Sequence, residues 1–425
     1  MNISQLHQLF LDSSGISTDT RNIKTNNLFF ALSGTNFNGN QFAQEALKRG
    51  ASKVVIDDEK YSTENSILVE DCLVALQDLA HYHRKHLALK IIGITGSNGK
   101  TTTKELLTEV LQQKYKVMAT KGNLNNHIGV PLTLLSMNQE TEIGIVEMGA
   151  NHQGEIKALC KIAQPNYGYI TNFGKAHLEG FGGLEGVIKG KSELYDDLIA
   201  NKQSIFISIE DKIQVEKTKD YSKRISIGNS QEADYPISSY TEKFQACIRY
   251  KANKVSSQLT GSYNSSNMAA ATGIGLYFDV EIEDIQHAIK NYIPSNNRSQ
   301  RLEINSNQII LDAYNANPSS MALAIENIAS LPSKKKVLIL GDMFEVGPTS
   351  QKEHQYIVDV LENMEINLAL VCGENFYQTK TEKVIAFQQF ENLKIYLSKK
   401  NIKDSTILIK GSRGMQLERL LELWK

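Results

Sequence analysis

A glycine-rich loop between an apolar strand and a helix constrains the fold of this chain more than any other segment. Residues 91–95 are typical of a buried strand, residues 96–101 read Gly-Ser-Asn-Gly-Lys-Thr, and residues 102–113 follow a helical pattern. Such a loop turns successive backbone N–H groups towards phosphates, and the helix N-terminus adds a positive dipole end. Lys100 would then reach the β- and γ-phosphates of a nucleotide, and the Thr101 hydroxyl would bind Mg²⁺.

The loop departs at one position from the general pattern G-x-x-x-x-G-K-[ST]. That pattern expects glycine at position 94, where this chain has Ile94, and the glycine stands at Gly96 instead. The alternative interpretation is a glycine turn followed by an exposed lysine. Because the strand, the Gly-Lys-Thr run and the helix occur in the required order, we expect a phosphate site.

Strand and helix patterns alternate along most of the 425 residues. Alternation with apolar strands predicts an α/β fold, with mostly parallel sheets covered on both faces. A domain usually takes about 100–200 residues, so a chain of this length favours three domains. The pattern changes near residues 86 and 294, which predicts units at residues 1–85, 86–293 and 294–425.

The charge of the chain is nearly balanced, with 46 Lys and Arg against 47 Asp and Glu and a net charge of -1. A balanced chain has no bulk electrostatic attraction to nucleic acid or to an anionic membrane, so neither partner is expected. Its four cysteines are far apart and never in C-x-x-C spacing, which excludes a zinc knuckle or disulfide scaffold. No signal peptide precedes the first strand and no apolar run could span a bilayer, so we expect a cytoplasmic protein without membrane insertion.

Two further residues could take part in chemistry at strand ends. Glu147 closes the apolar strand 143–147, the position at which nucleotide hydrolases hold their metal ion. His177 follows another strand, but a lone histidine is more often structural than a ligand. Three histidines on one predicted helix lack a carboxylate or cysteine companion and are interpreted as a solvated face: His81, His83 and His86.

Three polar runs follow strands of the third unit, at residues 312–318, 341–343 and 410–414. Open α/β sheets bind their ligands at the carboxyl ends of parallel strands. Each run alone could be a capping turn. Three runs at equivalent positions indicate a ligand site.

Together these motifs resemble the ATP-dependent Mur ligases of peptidoglycan synthesis. The resemblance covers nearly the whole chain, in order, through the runs at residues 17–21, 95–101, 122–131, 147–156, 177–182, 312–318, 341–343 and 410–413. The Gly96 placement is usual in that family. The family architecture has an N-terminal domain for the uridine nucleotide, a central P-loop ATPase domain and a C-terminal Rossmann-like domain that brings in the amino substrate.

Within the family, the runs at residues 122–131 and 147–156 are most like the member that adds D-alanyl-D-alanine to UDP-MurNAc-tripeptide. The resemblance implies that ATP first phosphorylates the tripeptide carboxylate, and that the dipeptide amine then attacks the acyl phosphate. The nearest alternative is the sibling ligase that adds a single diamino acid as the third residue. Because two domains would complete the ATP site, we expect the third domain to close on binding.

The resemblance also implies roles for individual residues. Catalytic roles fall to Lys100, Glu147, His177 and Lys191. Thr101 and Glu147 would hold a first Mg²⁺, and His177 with a carbamylated Lys191 would support a second. Composition alone would describe Lys191 as a surface lysine.

Binding roles follow in the same way. The ATP site would comprise Thr95, Gly96, Ser97, Asn98, Gly99, Lys100, Thr101, Asn264, Asn267, Arg301 and Asp312. Ser17, Thr18 and Arg21 would lie near the uridine nucleotide. Asn126, Asn151 and His152 would lie near the tripeptide substrate. Tyr263 stands where the family often has histidine, so its ring is assigned no role. We expect a monomer.

Two alternatives come from other functional classes. The first is a non-catalytic P-loop partner protein, which the intact set of predicted catalytic residues disfavours. The second is an oxidoreductase, suggested by the strand–helix rhythm of the third unit. That unit lacks the G-x-G-x-x-G fingerprint of dinucleotide binding at a strand–helix turn.

Overall fold

Three sheets follow one another along the chain, each flanked by helices. The computed structural model describes residues 1–242, 244–294, 296–332 and 335–424. Most strand pairs in the three sheets are parallel, and the α/β prediction is confirmed. None of the helices in the described ranges is long and apolar enough to cross a membrane.

The first sheet has four parallel strands in the order β1-β2-β5-β6, and a small hairpin, β3–β4, follows β2. Its strands are β1 (Ile16–Ser17), β2 (Leu28–Phe30), β3 (Ser33–Gly34), β4 (Phe37–Asn38), β5 (Lys53–Ile56) and β6 (Ser66–Leu68). The helices are α1 (Ile3–Leu11), α2 (Ala43–Lys48) and α3 (Cys72–Leu87). Asp71 caps the start of α3 by accepting a hydrogen bond from the Val74 N–H.

The predicted solvated histidine face on α3 is wrong for His81 and His83, whereas His86 is exposed as predicted. His83 is buried, and its Nδ1 lies 3.0 Å from Nε2 of His7 on α1. The other ring nitrogen of His83 lies 2.9 Å from the Met137 carbonyl oxygen, and His81 Nδ1 lies 3.2 Å from the Ile162 carbonyl oxygen. His83 packs against α1 and against the second unit, and His81 also contacts the second unit, although the sequence of α3 looks polar at these positions.

The second sheet has nine strands in the order β15-β14-β13-β12-β11-β10-β7-β9-β8. They are β7 (Lys90–Thr95), β8 (Val117–Ala119), β9 (Ile143–Glu147), β10 (Tyr167–Ile170), β11 (Ser204–Ser208), β12 (Arg224–Gly228), β13 (Tyr235–Glu242), β14 (Gln245–Tyr250) and β15 (Asn253–Thr260). Strands β7 to β13 pair in parallel, whereas β13, β14 and β15 form an antiparallel extension that the sequence did not predict.

Helices cover both faces of the second sheet. They are α4 (Lys100–Leu111), α5 (Gly129–Leu135), α6 (Glu155–Ala163), α7 (Leu178–Phe181), α8 (Leu184–Ala200), α9 (Lys212–Thr218), α10 (Ser262–Tyr277) and α11 (Ile282–Asn291). Neighbouring residues of β7 show the two-sided burial, because Ile91 and Ile92 are both fully buried in different core clusters. Successive side chains of a strand point to opposite faces, which explains the unbroken apolar run.

The third sheet has six strands in the order β16-β17-β21-β18-β19-β20, with only β16 antiparallel to its neighbour among the described pairs. They are β16 (Gln300–Ile304), β17 (Asn307–Asp312), β18 (Lys336–Gly341), β19 (Leu368–Cys372), β20 (Ile385–Phe387) and β21 (Thr406–Lys410). The helices are α12 (Pro318–Ala329), α13 (Ser350–Glu362), α14 (Glu374–Tyr377) and α15 (Phe390–Ser398).

The register of the second sheet brings the predicted catalytic segments together. Ile94 pairs with Glu147 across β7 and β9, and Thr95 pairs with Ile170 across β7 and β10. The loops that follow these three parallel strands therefore leave the sheet at the same edge. Open α/β sheets bind their ligands at this edge.

Candidate functional site

Two glycines shape the loop between β7 and α4. Gly96 has φ +140° and Gly99 has φ +81°, both in the region that side chains rarely adopt. A Cβ on Gly99 would lie 2.5 Å from Oδ1 of Asn267, and one on Gly96 would collide with the Thr171 hydroxyl. The backbone can pass this close to β10 and α10 only because both positions lack a side chain.

The Lys100 ammonium group is held by its own loop. Its Nζ donates to the carbonyl oxygen of Gly96 at 2.6 Å and to that of Ser97 at 3.3 Å. The pKa of Lys100 is lowered to about 8, chiefly because the group is buried; the Glu147 carboxylate opposes this shift and the charge of Arg298 adds to it. A cation at this depth interacts strongly with an anionic ligand, because little water screens it.

The Glu147 carboxylate, at the end of β9, is positioned by neighbouring polar groups. Its Oε1 accepts a hydrogen bond of 2.8 Å from Asn125 Nδ2, and its backbone N–H donates to the Thr120 hydroxyl. The Lys104 ammonium lies 4.0 Å from Oε2, which is buried and has no hydrogen-bond partner. A buried carboxylate oxygen without a hydrogen-bond partner, in a cavity that Thr101 also lines, suits a divalent cation that prefers oxygen ligands.

A cavity of about 1160 Å³ opens above this edge of the second sheet. It contains twelve of the residues predicted from sequence: Ser97, Asn98, Gly99, Lys100, Thr101, Asn126, Glu147, Asn151, His177, Asn264, Asn267 and Asp312. Thr95, Gly96 and His152 do not line it, although the first two shape the loop that does. All twelve lie in the second unit except Asp312, which ends β17 of the third.

The two asparagines of α10 form a short relay behind the glycine loop. Asn264 Nδ2 donates to the Thr260 carbonyl oxygen at 2.7 Å, and its Oδ1 accepts from Asn267 Nδ2 at 3.1 Å. Asn267 Oδ1 in turn accepts from the Thr103 hydroxyl of α4 at 3.2 Å. Both side chains are buried and line the cavity.

The third unit supplies the opposite wall of the cavity. Lys410 Nζ, at the end of β21, lies 2.6 Å from Asp312 Oδ2 and is almost fully buried. Asn317 Nδ2 donates to Asn98 Oδ1 of the glycine loop at 2.7 Å. The cavity is thus built from two units that are already in contact.

Arg298 lines the cavity, whereas the predicted Arg301 does not. Arg301 lies on β16 with an exposed side chain and does not line the cavity. Arg298 does line it, with its guanidinium carbon 3.8 Å from the centre of the Tyr314 ring and a buried Nε that has no hydrogen-bond partner. The alternating pattern of residues 300–304 could have assigned Arg301 to a strand and left Arg298 in the preceding turn.

His177 contacts the third unit. Its Nδ1 lies 2.5 Å from Glu345 Oε2, and both residues have left-handed backbone, with φ +52° and φ +60°. Hydrogen bonding to His177 lowers the pKa of Glu345. A second ion pair, between Lys175 and Glu353 at 2.7 Å, lies on the same interface.

The predicted second metal site does not assemble around Lys191. Lys191 is fully buried and outside the cavity wall, and its Nζ donates to the Ala150 carbonyl oxygen at 3.0 Å. Burial lowers its pKa well below the usual lysine value. Among the described residues, no group of three or more His, Cys, Asp or Glu side chains is placed to hold a metal ion.

The residues predicted for the uridine nucleotide lie in the first unit, apart from the cavity. Arg21 is exposed and forms an ion pair of 2.7 Å with Asp19, which also accepts its backbone N–H. The Ser17 hydroxyl donates to the Asp19 carbonyl oxygen, and Thr18 is half-buried. These side chains form a local turn.

One of the three polar runs of the third unit is structural. Asp342 is buried, and its carboxylate accepts hydrogen bonds from the backbone N–H groups of Asn375 and Phe376 and from Asn375 Nδ2. Through these hydrogen bonds, the run at residues 341–343 holds the end of β18 against the start of α14. The runs that begin at Asp312 and Lys410 contribute to the cavity instead.

Comparisons with known proteins agree with this architecture. The family descriptions "Mur ligase family, catalytic domain", "Mur ligase middle domain" and "Mur ligase, glutamate ligase domain" match residues 12–86, 94–275 and 297–413. The UDP-N-acetylmuramoyl-tripeptide--D-alanyl-D-alanine ligase of Bacillus subtilis (strain 168) is 34% identical, over 96% of this chain and 92% of its own length.

Solved structures give the same result. MurF from Acinetobacter baumannii superposes with a TM-score of 0.86 at 28% identity, covering 99% of this chain and 98% of the other. The MurF ligase from Thermotoga maritima in complex with ADP superposes with a TM-score of 0.84 at 27% identity, covering 96% of both chains. On these family matches and this relative, the chain belongs to the Mur ligase family.

Proposed function

We propose that this chain is an ATP-dependent ligase that joins D-alanyl-D-alanine to UDP-N-acetylmuramoyl-tripeptide, giving ADP and phosphate. The relatives that match nearly its whole length are named for this reaction. The observation that supports it best is the cavity in which Lys100 and Glu147 of the second unit face Asp312 and Lys410 of the third. A ligase that activates one substrate and then admits another needs such a two-sided site.

The chemistry follows from the weakness of a carboxylate as an acyl donor. An oxygen of the tripeptide's terminal carboxylate attacks the γ-phosphorus of ATP, the bond to ADP breaks, and an acyl phosphate forms. The dipeptide amine then attacks the acyl carbon, loses a proton, and expels phosphate as the amide bond forms. Both partners of the first step are anionic, so positive charge must be concentrated between them. Lys100 and Arg298 supply that charge from the protein.

The residues present suit one Mg²⁺. Thr101 and Glu147 would hold it, since Glu147 Oε2 is buried without a hydrogen-bond partner and both residues line the cavity. A bound Mg²⁺ would neutralise charge on the phosphate oxygens. Asn125, which donates to the other oxygen of Glu147, keeps the carboxylate oriented.

We assign the remaining roles as part of the same proposal. ATP would contact residues 97–101, Asn264, Asn267 and Asp312, with Arg298 replacing Arg301. Asn126 and Asn151 would face the tripeptide substrate. The uridine nucleotide would bind the first unit near Ser17, Thr18 and Arg21, and domain boundaries would lie near residues 86 and 294. Since one chain lines the whole cavity, a monomer suffices, and the reaction belongs in the cytoplasm with its ATP.

Carbamylation of Lys191 stays a prediction from the resemblance alone. The lowered pKa of Lys191 favours the neutral amine, which is the form that reacts with CO₂. Its bond to the Ala150 carbonyl oxygen and its position outside the cavity wall do not favour a metal-supporting role. Carbon-13 NMR of the protein in labelled bicarbonate would show a carbamate signal that Lys191→Gln removes. The ligase proposal does not depend on it.

Oxygen-18 in the terminal carboxylate of the tripeptide substrate tests the mechanism directly. If an acyl phosphate forms, one labelled oxygen must appear in the released phosphate. The same assay compares D-alanyl-D-alanine with a single diamino acid, which is the amino substrate of the sibling ligase. Unlabelled phosphate, or turnover with the diamino acid alone, would contradict the proposal, and binding of ATP without turnover would favour a non-catalytic partner protein.

A further inference from the structure

One carboxylate of α4 ties down the segment that joins the second unit to the third. Glu105 Oε2 accepts a hydrogen bond of 2.5 Å from the Tyr292 hydroxyl, and its Oε1 accepts one of 2.9 Å from Asn296 Nδ2. Tyr292 directly follows α11 and is mostly buried. Burial raises the pKa of the Tyr292 hydroxyl, so this group stays protonated and donates. Two points of the connecting segment are thereby fixed to the helix that begins at Lys100.

Further along, a second pair of contacts fixes Ser299. Its backbone N–H donates to Asp312 Oδ1 at 3.1 Å, and its hydroxyl lies 3.0 Å from the Tyr263 hydroxyl. Asn297 and Ser299, on either side of Arg298, have left-handed backbone with φ +56° and φ +51°. Residues other than glycine rarely adopt this conformation because it strains the backbone, so the surrounding contacts must hold it.

Arg298 lies between these anchors and points into the cavity. Its guanidinium packs on the Tyr314 ring, and its charge contributes to the lowered pKa of Lys100. Arg298 and Lys100 both line this cavity, so the two cations can face the same anionic ligand. Glu105 does not line the cavity, so any effect it has on a ligand must pass through its neighbours. These are the connecting segment and Lys104, whose Nζ lies 3.8 Å from Glu105 Oε1 and 4.0 Å from Glu147 Oε2.

We propose that Glu105 is a positioning residue for Arg298. By holding Tyr292 and Asn296 against α4, it sets where the connecting segment leaves the second unit, and hence where the Arg298 guanidinium meets the nucleotide phosphates. The inference rests on the proposed function only in taking a nucleotide as the ligand of this cavity.

A double-mutant cycle on nucleotide binding tests the proposal without using the ligase reaction. Binding of ADP with Mg²⁺ to the full chain is measured by calorimetry for wild type, Glu105→Ala, Arg298→Ala and the double variant. We expect Glu105→Ala to weaken ADP binding about tenfold. The double variant should bind ADP no more weakly than Arg298→Ala alone, because without the arginine side chain Glu105 has no group to position. Glu109→Ala, at an exposed position of the same helix, is the matched control and should bind ADP like wild type.

Two outcomes would overturn the proposal. One is unchanged ADP affinity in Glu105→Ala, and the other is a double variant whose loss is the product of the two single losses. If Glu105→Ala does not fold, Glu105→Gln and Tyr292→Phe replace it in the same cycle. The glutamine keeps one acceptor oxygen, so we expect Glu105→Gln to lose less than Glu105→Ala. Wild-type protein that binds ADP but makes no amide product would contradict the proposed function. The double-mutant cycle would still test the role of Glu105, because it measures only ADP binding.

Discussion

Asn317 Nδ2 donates a hydrogen bond of 2.7 Å to Asn98 Oδ1, so the residue that caps α12 of the third unit contacts the glycine loop of the second unit. The side chain of Asn317 has two tasks, because its Oδ1 also accepts the Ser320 N–H as the helix cap. The ion pairs His177–Glu345 and Lys175–Glu353 lie on the same interface. These contacts link the glycine loop to the third unit, so the proposed nucleotide in that loop would also affect the position of the third unit.

Asn317→Ser should loosen the contact between these two units. Serine also caps helices well, so α12 keeps its start while the reach to Asn98 is lost. We expect small-angle scattering to give a larger radius of gyration for Asn317→Ser than for wild type without ligands, and equal values once nucleotide and UDP-substrate are bound. Asn363→Ser, at the exposed end of α13, is the control. Equal compactness of all three proteins, with and without ligands, would refute the predicted closure.

Alanine substitutions of the two arginines near the start of the third sheet should have very different effects on kcat/KM for ATP. Arg298→Ala removes a cation that lines the cavity, whereas Arg301→Ala changes an exposed side chain of β16. Removing one group that stabilises developing charge typically costs about 10²–10³ in rate. We expect a loss of that order in kcat/KM for ATP in Arg298→Ala and less than about threefold in Arg301→Ala. A larger loss of kcat/KM in Arg301→Ala than in Arg298→Ala would instead assign the contact with ATP to Arg301.

Asn125→Ala should raise the Mg²⁺ concentration that the protein requires. The Asn125 amide orients the Glu147 carboxylate, and loss of such an outer contact typically weakens metal affinity by about 10–100-fold. Calorimetric binding of ADP at increasing Mg²⁺ measures this without turnover. A titration that overlays wild type would show that Glu147 does not need this hydrogen bond, or does not hold the metal.

The buried histidine pair His7–His83 should make stability pH-dependent. Burial, with repulsion from His83 and His86, lowers the pKa of His7 from 6.5 to about 4, so its neutral form is favoured in the folded protein. The unfolded chain then binds more protons between pH 6.5 and about 4, and stability falls as the pH drops through that window.

Urea unfolding at pH 7.5 and pH 5 measures this slope. His7→Gln should flatten it, because the titrating group is removed. His287→Gln, at an exposed position, is the control and should keep the wild-type slope. Equal slopes in wild type and His7→Gln would contradict the prediction.

Local patterns were enough to predict the glycine loop and Glu147, whereas Asn126, Asn151, Asn264 and Asn267 were predicted from the family resemblance. Strand β9 ends at Glu147 as expected, and the Gly-Lys-Thr run begins α4, because a strand, a tight glycine turn and a helix follow from neighbouring residues. The α/β class followed from the apolar strands, of which β7 buries residues on both faces.

Contacts between distant segments were not predictable in the same way. His83 looked like a solvated residue, because the sequence of α3 does not show that α1 packs over it. Arg301 was chosen over Arg298, because the backbone of residues 297–299 depends on Asp312 and Tyr263 from other elements. The buried position of Lys104 beside Glu147 was not predicted, because a lysine one turn into a helix looks like a surface residue in the sequence.

The central claim is tested most directly by ATP turnover with UDP-MurNAc-tripeptide, measured with and without D-alanyl-D-alanine. The account predicts that phosphate release requires both substrates and equals the amide product in amount, and that Lys100→Ala lowers the rate by roughly 10²–10³-fold. Phosphate release that ignores D-alanyl-D-alanine, or that Lys100→Ala leaves untouched, would contradict it.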